Sequence, residues 1–288
     1  MKRRALLLGL LVLSSGAGMA NAQPGKKARV GLLTPGVGLS PRHEVFRDAL
    51  RTHGWVEGQN LTIEYRFGGD DYERLRALAD DLVQLKVDVI YAATAPSAQA
   101  AKIATRDIPI VFHTLNDPVR AGLVASFSRP GGNLTGNAGL GPELDRKRIE
   151  LLKEIVPAVV TVLINPSNVM TAPRLGVVED AARALKLQTR AIEASDQKSL
   201  DRALQTMARN KPAGLIEEGG LIEYAPNQNQ LIKQAAAYVD RILRGARPFE
   251  LPIEQAEKVD VVVNLKTAKA LGISMPMTVL HRADHVIE

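Results

Sequence analysis

Short continuous apolar runs alternate along this chain with longer stretches in which apolar residues return at helical spacing. Runs bounded by turn residues suit strands buried on both faces of a parallel sheet. By that pattern Arg29–Leu33, Leu61–Tyr65, Val87–Ala92 and Ile108–Phe112 are predicted strands. Between the first two, Arg42–His53 carries Val45, Phe46, Ala49 and Leu50 on one face and ends at Gly54, a C-cap residue. Tyr72–Leu85 carries a stripe of Leu75, Leu78, Leu82 and Leu85 after two capping candidates, Asp70 and Asp71. Ser97–Thr105 makes a third helix. Strand followed by helix, repeated, predicts a parallel sheet with right-handed crossovers.

Arg129, Pro130, Gly131, Gly132 and Asn133 break the rhythm. This run reads as the exit from a first unit, with Asn137 close to a hinge. The alternation then restarts. Helices are predicted at Leu144–Ile155, Val177–Leu185, Ser199–Arg209, Gln228–Leu243 and Lys266–Leu271, and strands at Val159–Ile164, Leu187–Ile192, Ala213–Ile216 and Val259–Asn264. The expected fold class is α/β, two Rossmann-like lobes with parallel sheets joined by a hinge, with a cleft between them. The first lobe spans 23–137, with roughly 265–288 returning to it, and the second spans 138–264.

The second array is irregular at one place. Only Glu217, Glu218, Gly219 and Gly220 separate Ile216 from the next apolar pair, Leu221 and Ile222. A parallel crossover takes at least about 10–12 residues, so no helix fits there. The second lobe is therefore expected to be one βα unit short, its flanking strands forming a Gly-Gly hairpin, merging, or leaving the lobe damaged.

The amino terminus bears on location. Lys2, Arg3 and Arg4 precede the apolar run Ala5–Leu13, and Ala20, Asn21 and Ala22 form a small-residue cleavage pattern before Gln23. Residues 1–22 are read as a secretory signal peptide, too short in its apolar part for a spanning helix. Its loss lowers the formal net charge of +6 by three, so the basic balance does not point to nucleic acid. The chain has 288 residues and no cysteine, which excludes disulfides, thiolate metal sites, a cysteine nucleophile and a lipoprotein anchor. A periplasmic protein, not a lipoprotein and without a membrane span after cleavage, is expected.

Candidate binding chemistry lies where strands end, because open α/β sheets meet their ligands there. Thr34, Pro35 and Gly36 follow the first strand, and Thr94, Pro96 and Ser97 open the third helix. The N-terminus of that helix, with its two hydroxyls, suits a carboxylate, although a plain N-cap explains the same residues. Thr114, Asn116 and Asp117 follow the fourth strand; Asp117 suits an ammonium group or, more plainly, a helix cap. Asn137 and Asn165 would face these across the cleft, and Tyr224 would cover a ligand or pack beneath the helix from Gln228. Each of these groups also has an ordinary turn or packing role.

Several long segments resemble a single family. They are GWVEGQNLTIEYR (54–66), IPIVF (108–112), DPVRAGLVASFSRPGGNLTG (117–136), AAAYVDRILRGARPFELPIEQ (235–255) and VVVNLKTAKALGI (261–273). In this order they resemble the ABC-transporter substrate-binding proteins whose relatives include tryptophan-binding lipoproteins. The resemblance implies a type I periplasmic-binding-protein fold, a small ligand in the cleft, an amino acid or related carboxylate, and an inner-membrane ABC permease as partner. It implies a monomer without cofactor, metal or catalytic residues, and a further helix and strand where this chain has only residues 217–220.

Two other readings compete. Gly36, Gly38 and Pro41 give G-x-G-x-x-P after the first strand, close to a dinucleotide fingerprint, but proline replaces the third glycine. A periplasmic Rossmann-type oxidoreductase is one alternative; a degenerate paralogue that no longer binds ligand is the other.

Overall fold

The computed structural model describes residues 27–288 except 70, 140, 156–158, 169–170 and 210–220. The expected signal peptide, Asp70, the strand Ala213–Ile216 and the short connection after it lie outside the described residues.

The first lobe is built as the apolar pattern predicts. Strands β1 (Ala28–Thr34), β2 (Leu61–Phe67), β3 (Val89–Ala92) and β4 (Ile110–Thr114) alternate with helices α1 (Pro41–Thr52), α2 (Arg74–Gln84) and α3 (Ala95–Ala104). A fifth strand, β5 (Leu134–Ala138), continues the same sheet. The first unit therefore does not end at Arg129–Asn133; the chain stays in the first sheet until Ala138. All pairings within this lobe are parallel, in the order β2-β1-β3-β4-β5, with a two-residue strand β9 (Glu254–Gln255) added beside β5.

Both faces of that sheet are covered. On one side α2 and α3 pack Leu75, Leu82, Ala98 and Ala101 against Leu33, Ile90, Ile110 and Phe112. On the other, α1 supplies Phe46 and Leu50. The remainder of that side is covered by α7 (Gln228–Leu243), whose Ile232, Ala235, Ala236, Tyr238 and Val239 are buried against Val30, Leu32, Val89 and Val111. Asp240 of α7 accepts a hydrogen bond from Trp55 Nε1 at 2.8 Å, and Arg244 reaches the His53 carbonyl at 2.9 Å.

The second lobe contains α4 (Pro142–Ile155), β6 (Val159–Ile164), α5 (Thr171–Ala184), β7 (Gln188–Glu193), α6 (Gln197–Arg209), β8 (Ile222–Pro226), β10 (Val259–Asn264), α8 (Leu265–Leu271), α9 (Met277–Leu280) and β11 (His285–Ile287). Its described strands fall in two pieces, a parallel pair β6-β7 and a three-stranded group β11-β10-β8 with β8 antiparallel to β10. One apolar cluster joins them, including Ile149, Leu152, Val160, Val178, Ile222, Val261 and Val279.

The expectation that 265–288 return to the first lobe is corrected here. Leu265, Val279 and Leu280 pack in the second-lobe cluster and β11 pairs with β10, while the return to the first lobe is made by α7 and β9. The chain thus crosses between lobes three times: after β5, at Asn227 before α7, and between β9 and β10.

Two glycines make the first crossing possible. Gly136 has φ +150°, and a Cβ there would lie 1.9 Å from the Phe112 carbonyl oxygen. A Cβ on Gly139 would come within 2.9 Å of the Leu115 carbonyl oxygen, so the loop after β4 rests directly on the crossing segment.

Candidate functional site

The parallel strands of the first lobe end together, facing the second lobe, and their loops hold most of the predicted residues. Thr34 is nearly buried and its Oγ1 accepts the Gly36 N–H at 3.5 Å. The same loop is laced to the end of β2, since Gly68 N–H donates to the Thr34 carbonyl at 2.9 Å and Gly69 N–H to the Gly36 carbonyl at 3.1 Å. Pro35 and Gly36 are half-buried beside it.

At the end of β3, Thr94 is the N-cap of α3. Its Oγ1 accepts the Ser97 N–H at 3.3 Å and lies 2.9 Å from the Ser97 hydroxyl. Pro96 has no N–H to offer, so Ala95 keeps the one free donor of the first turn. The plainer cap accounts for these contacts, with a single N–H left over for an anion.

At the end of β4, Thr114 Oγ1 accepts the Asn116 N–H at 3.1 Å. Asp117 Oδ1 accepts the N–H groups of Val119 at 2.9 Å and Arg120 at 3.1 Å, while Oδ2 lies 3.7 Å from Arg120 Nε. Asp117 is thus occupied as a turn cap.

Asn165, after β6, sits on the opposing lobe. Its Oδ1 accepts the Ser167 N–H at 3.0 Å. With Ser167, Ser195 and Asp196 it faces Gly69, Asp71, Tyr72 and Glu73 of the first lobe across a cavity of about 400 Å³. The loop it meets is the one after β2, so Asn165 does not face Thr34 or Thr114 as expected.

Two predicted residues do not line the cleft. Asn137 is 0% exposed and points into the first lobe, where its Nδ2 donates to the Leu231 carbonyl of α7 at 2.6 Å. Tyr224 is half-buried in the second-lobe apolar cluster, and its carbonyl accepts Arg148 Nε at 2.8 Å. Neither lines the cavity at Asn165, and Tyr224 packs in the second-lobe cluster instead of beneath α7.

Sequence reasoning missed a second space between the lobes. A cavity of about 220 Å³ is bounded by Arg42 at the start of α1, Asn227, Gln228 and Asn229 at the start of α7, and Glu223 and Asp260 of the second lobe. Asn227 Oδ1 caps the Gln230 N–H at 3.1 Å and its Nδ2 donates to Asp260 Oδ2 at 2.8 Å. Arg42 could have been found from sequence. A cation in the first turn opposes the helix dipole, and such local inconsistencies mark functional positions.

Also missed is a buried charge cluster at the start of the second lobe. Asp145 accepts Arg148 Nη1 at 2.7 Å and Arg174 Nη2 at 2.9 Å. Burial, followed by the cation on Arg174, lowers the pKa of Arg148. Beneath the strand ends, the Tyr91 hydroxyl lies 2.7 Å from His113 Nδ1, and burial lowers the His113 pKa to about 4.

Comparison with known proteins gives a consistent result. The family model described as ABC transporter substrate binding protein matches residues 35–216 and 209–287, two stretches that overlap at 209–216. A tyrosine-binding protein of Clostridioides difficile (strain R20291) is 26% identical over 262 residues, covering 79% of this chain and 75% of that protein. Among solved structures, a conserved domain protein from Vibrio cholerae superposes with a TM-score of 0.81 at 26% identity, covering 91% of this chain and 100% of that one. An ABC domain from Streptococcus pneumonia in complex with L-Trp gives 0.78 at 22% identity, again covering 91% and 100%.

Proposed function

The chain belongs to the ABC transporter substrate-binding protein family, and from that premise we propose that it is the periplasmic, exported component of an importer that closes two lobes on an amino acid for an inner-membrane permease. Type I periplasmic-binding folds support this reading, with two lobes joined by three crossings and polar loops gathered at the strand ends. The observation that carries it is the cavity of about 400 Å³ between the lobes, where the loop after β2 of one lobe faces loops after β6 and β7 of the other. A ligand touching both lobes favours the closed form by its differential contacts.

The ligand class follows from the relatives, one binding tyrosine and one solved with L-Trp. We propose an L-amino acid, aromatic ones first, held at the strand-end loops Thr34–Gly36, Thr94–Ser97 and Thr114–Asp117 of the first lobe, with Asn165 brought to them from the second lobe when the lobes close. The signal peptide read in residues 1–22 puts the mature chain, 23–288, outside the inner membrane. No helix among the described residues is long and apolar enough to cross a membrane. The proposed lobes are 28–138 with 227–256, and 142–226 with 259–288.

Thermal melting of residues 23–288 against the L-amino acids, NAD and sugars tests the reading. A ligand at about 100 times its Kd adds about 2.7 kcal/mol and raises the midpoint by mass action. A rise with an amino acid supports the proposal. A rise with NAD alone would move the assignment to an oxidoreductase, and no rise with any compound would mark a paralogue that has lost its ligand.

A further inference from the structure

Asn137 sits at the root of the first crossing, and one of its two polar atoms has no partner. The carbonyl of Leu231 can only accept, so the atom 2.6 Å from it is the amide nitrogen, and Oδ1 must point away. That Oδ1 is buried without a hydrogen bond. An orphaned buried acceptor destabilises the arrangement that contains it. The residue paired with Asn137 across the β4–β5 ladder is His113, on the same face of the sheet. His113 is itself buried and bonded through Nδ1 to the Tyr91 hydroxyl of β3.

Donor and acceptor bookkeeping favours one assignment, the one that leaves a donor available for Asn137 Oδ1. If Tyr91 O–H donates to Nδ1, the imidazole carries its proton on Nε2, and the residue paired with Asn137 then offers a donor on the same face of the sheet. The reverse assignment leaves the Tyr91 proton without a described acceptor and leaves His113 with no donor to offer Asn137 Oδ1. We propose that Tyr91, His113 and Asn137 form a directional hydrogen-bond relay ending on the Leu231 carbonyl, completed when His113 Nε2–H meets Asn137 Oδ1 directly or through one trapped water, and that it biases the hinge. Leu231 lies at the start of α7, just after the second crossing, and Asn137 stands one residue before the first crossing leaves β5. The relay therefore joins the roots of two of the three connections between the lobes. A placement of Asn137 at the root of the crossing that closes the last link is favoured over one that leaves it open. In this role His113 and Asn137 position the hinge and touch no ligand.

The chain lacks cysteine, so spin labels can be placed by R51C and R183C, exposed helix positions in the two lobes. Pulsed electron resonance on the ligand-free protein then reads the distance between lobes, and nitrogen-15 spectra of the imidazole read its tautomer. The expected result is a single Nε2–H tautomer, with a mean distance that shifts and a distribution that broadens in His113→Phe. Tyr91→Phe, which removes one oxygen, should mix the tautomers and shift the distance in the same direction, and it serves if His113→Phe does not fold. A predominant Nδ1–H tautomer in the native chain would overturn the relay. A distance distribution unchanged in the folded variants would overturn its role at the hinge.

Discussion

The two lobes share a construction rule and differ in how completely it is carried out. In the first lobe, strands β1 and β3 to β5 are nearly all buried, and helices cover both faces of one six-stranded sheet. In the second, no residue of β7 is buried, and the described strands form separate groups of two and three. In sequence the second array is irregular at one place, where four residues separate Ile216 from Leu221 and a parallel crossover would take at least about 10–12.

This contrast can be broken most directly in the first lobe. Gly136→Ala forces a Cβ into the Phe112 carbonyl and should leave no folded first sheet, read as loss of the cooperative urea transition. Phe112→Ala, at a fully buried position, should cost about 3–5 kcal/mol. The matched change in the second lobe, Leu163→Ala at a half-buried position, should cost clearly less in the same urea series. Equal losses would erase the distinction between the lobes.

The second lobe has its own concentrated dependence on the Asp145 cluster. Asp145→Ala strands the Arg148 guanidinium in a buried site and should cost about 3–5 kcal/mol by denaturant melting. Capping effects are smaller. Thr94→Ala removes the α3 cap and should cost about 1 kcal/mol, with weaker binding of the amino acid if the cap also serves the ligand.

The smallest expected effect concerns acid. Glu154 Oε2 accepts Arg282 Nη2 at 2.6 Å, joining α4 to the segment after α9, and this bond holds the carboxyl below its ordinary pKa of 4.5. A group with a lowered folded pKa stabilises above its unfolded value and loses that contribution as pH falls through the folded one. Stability should therefore decline slightly below about pH 4.5, and Glu154→Gln should flatten that decline in melts across the range.

Much of the first lobe was legible because its buried faces are apolar and periodic. β5 was not, because its sequence Leu134-Thr135-Gly136-Asn137-Ala138 reads as a polar turn although every residue is buried. Thr135 and Asn137 can be buried because Leu251 and Leu231 supply carbonyl acceptors from far along the chain, a partnership no local window contains. For the same reason Asn137 looked like a cleft residue. The destination of α7 was hidden as well, since its apolar face fits either lobe and only the crossing geometry decides. At the candidate site, turn residues were correctly gathered at the strand ends, but residue type alone could not show that Thr34, Thr94, Thr114 and Asp117 already bond their own loops.

The central claim is closure of two lobes on an amino acid, and small-angle X-ray scattering of residues 23–288 titrated with L-tyrosine, L-tryptophan and the remaining L-amino acids tests it. The account predicts a saturable fall in the radius of gyration with at least one of them. A radius unchanged at saturating concentrations of every amino acid would contradict it.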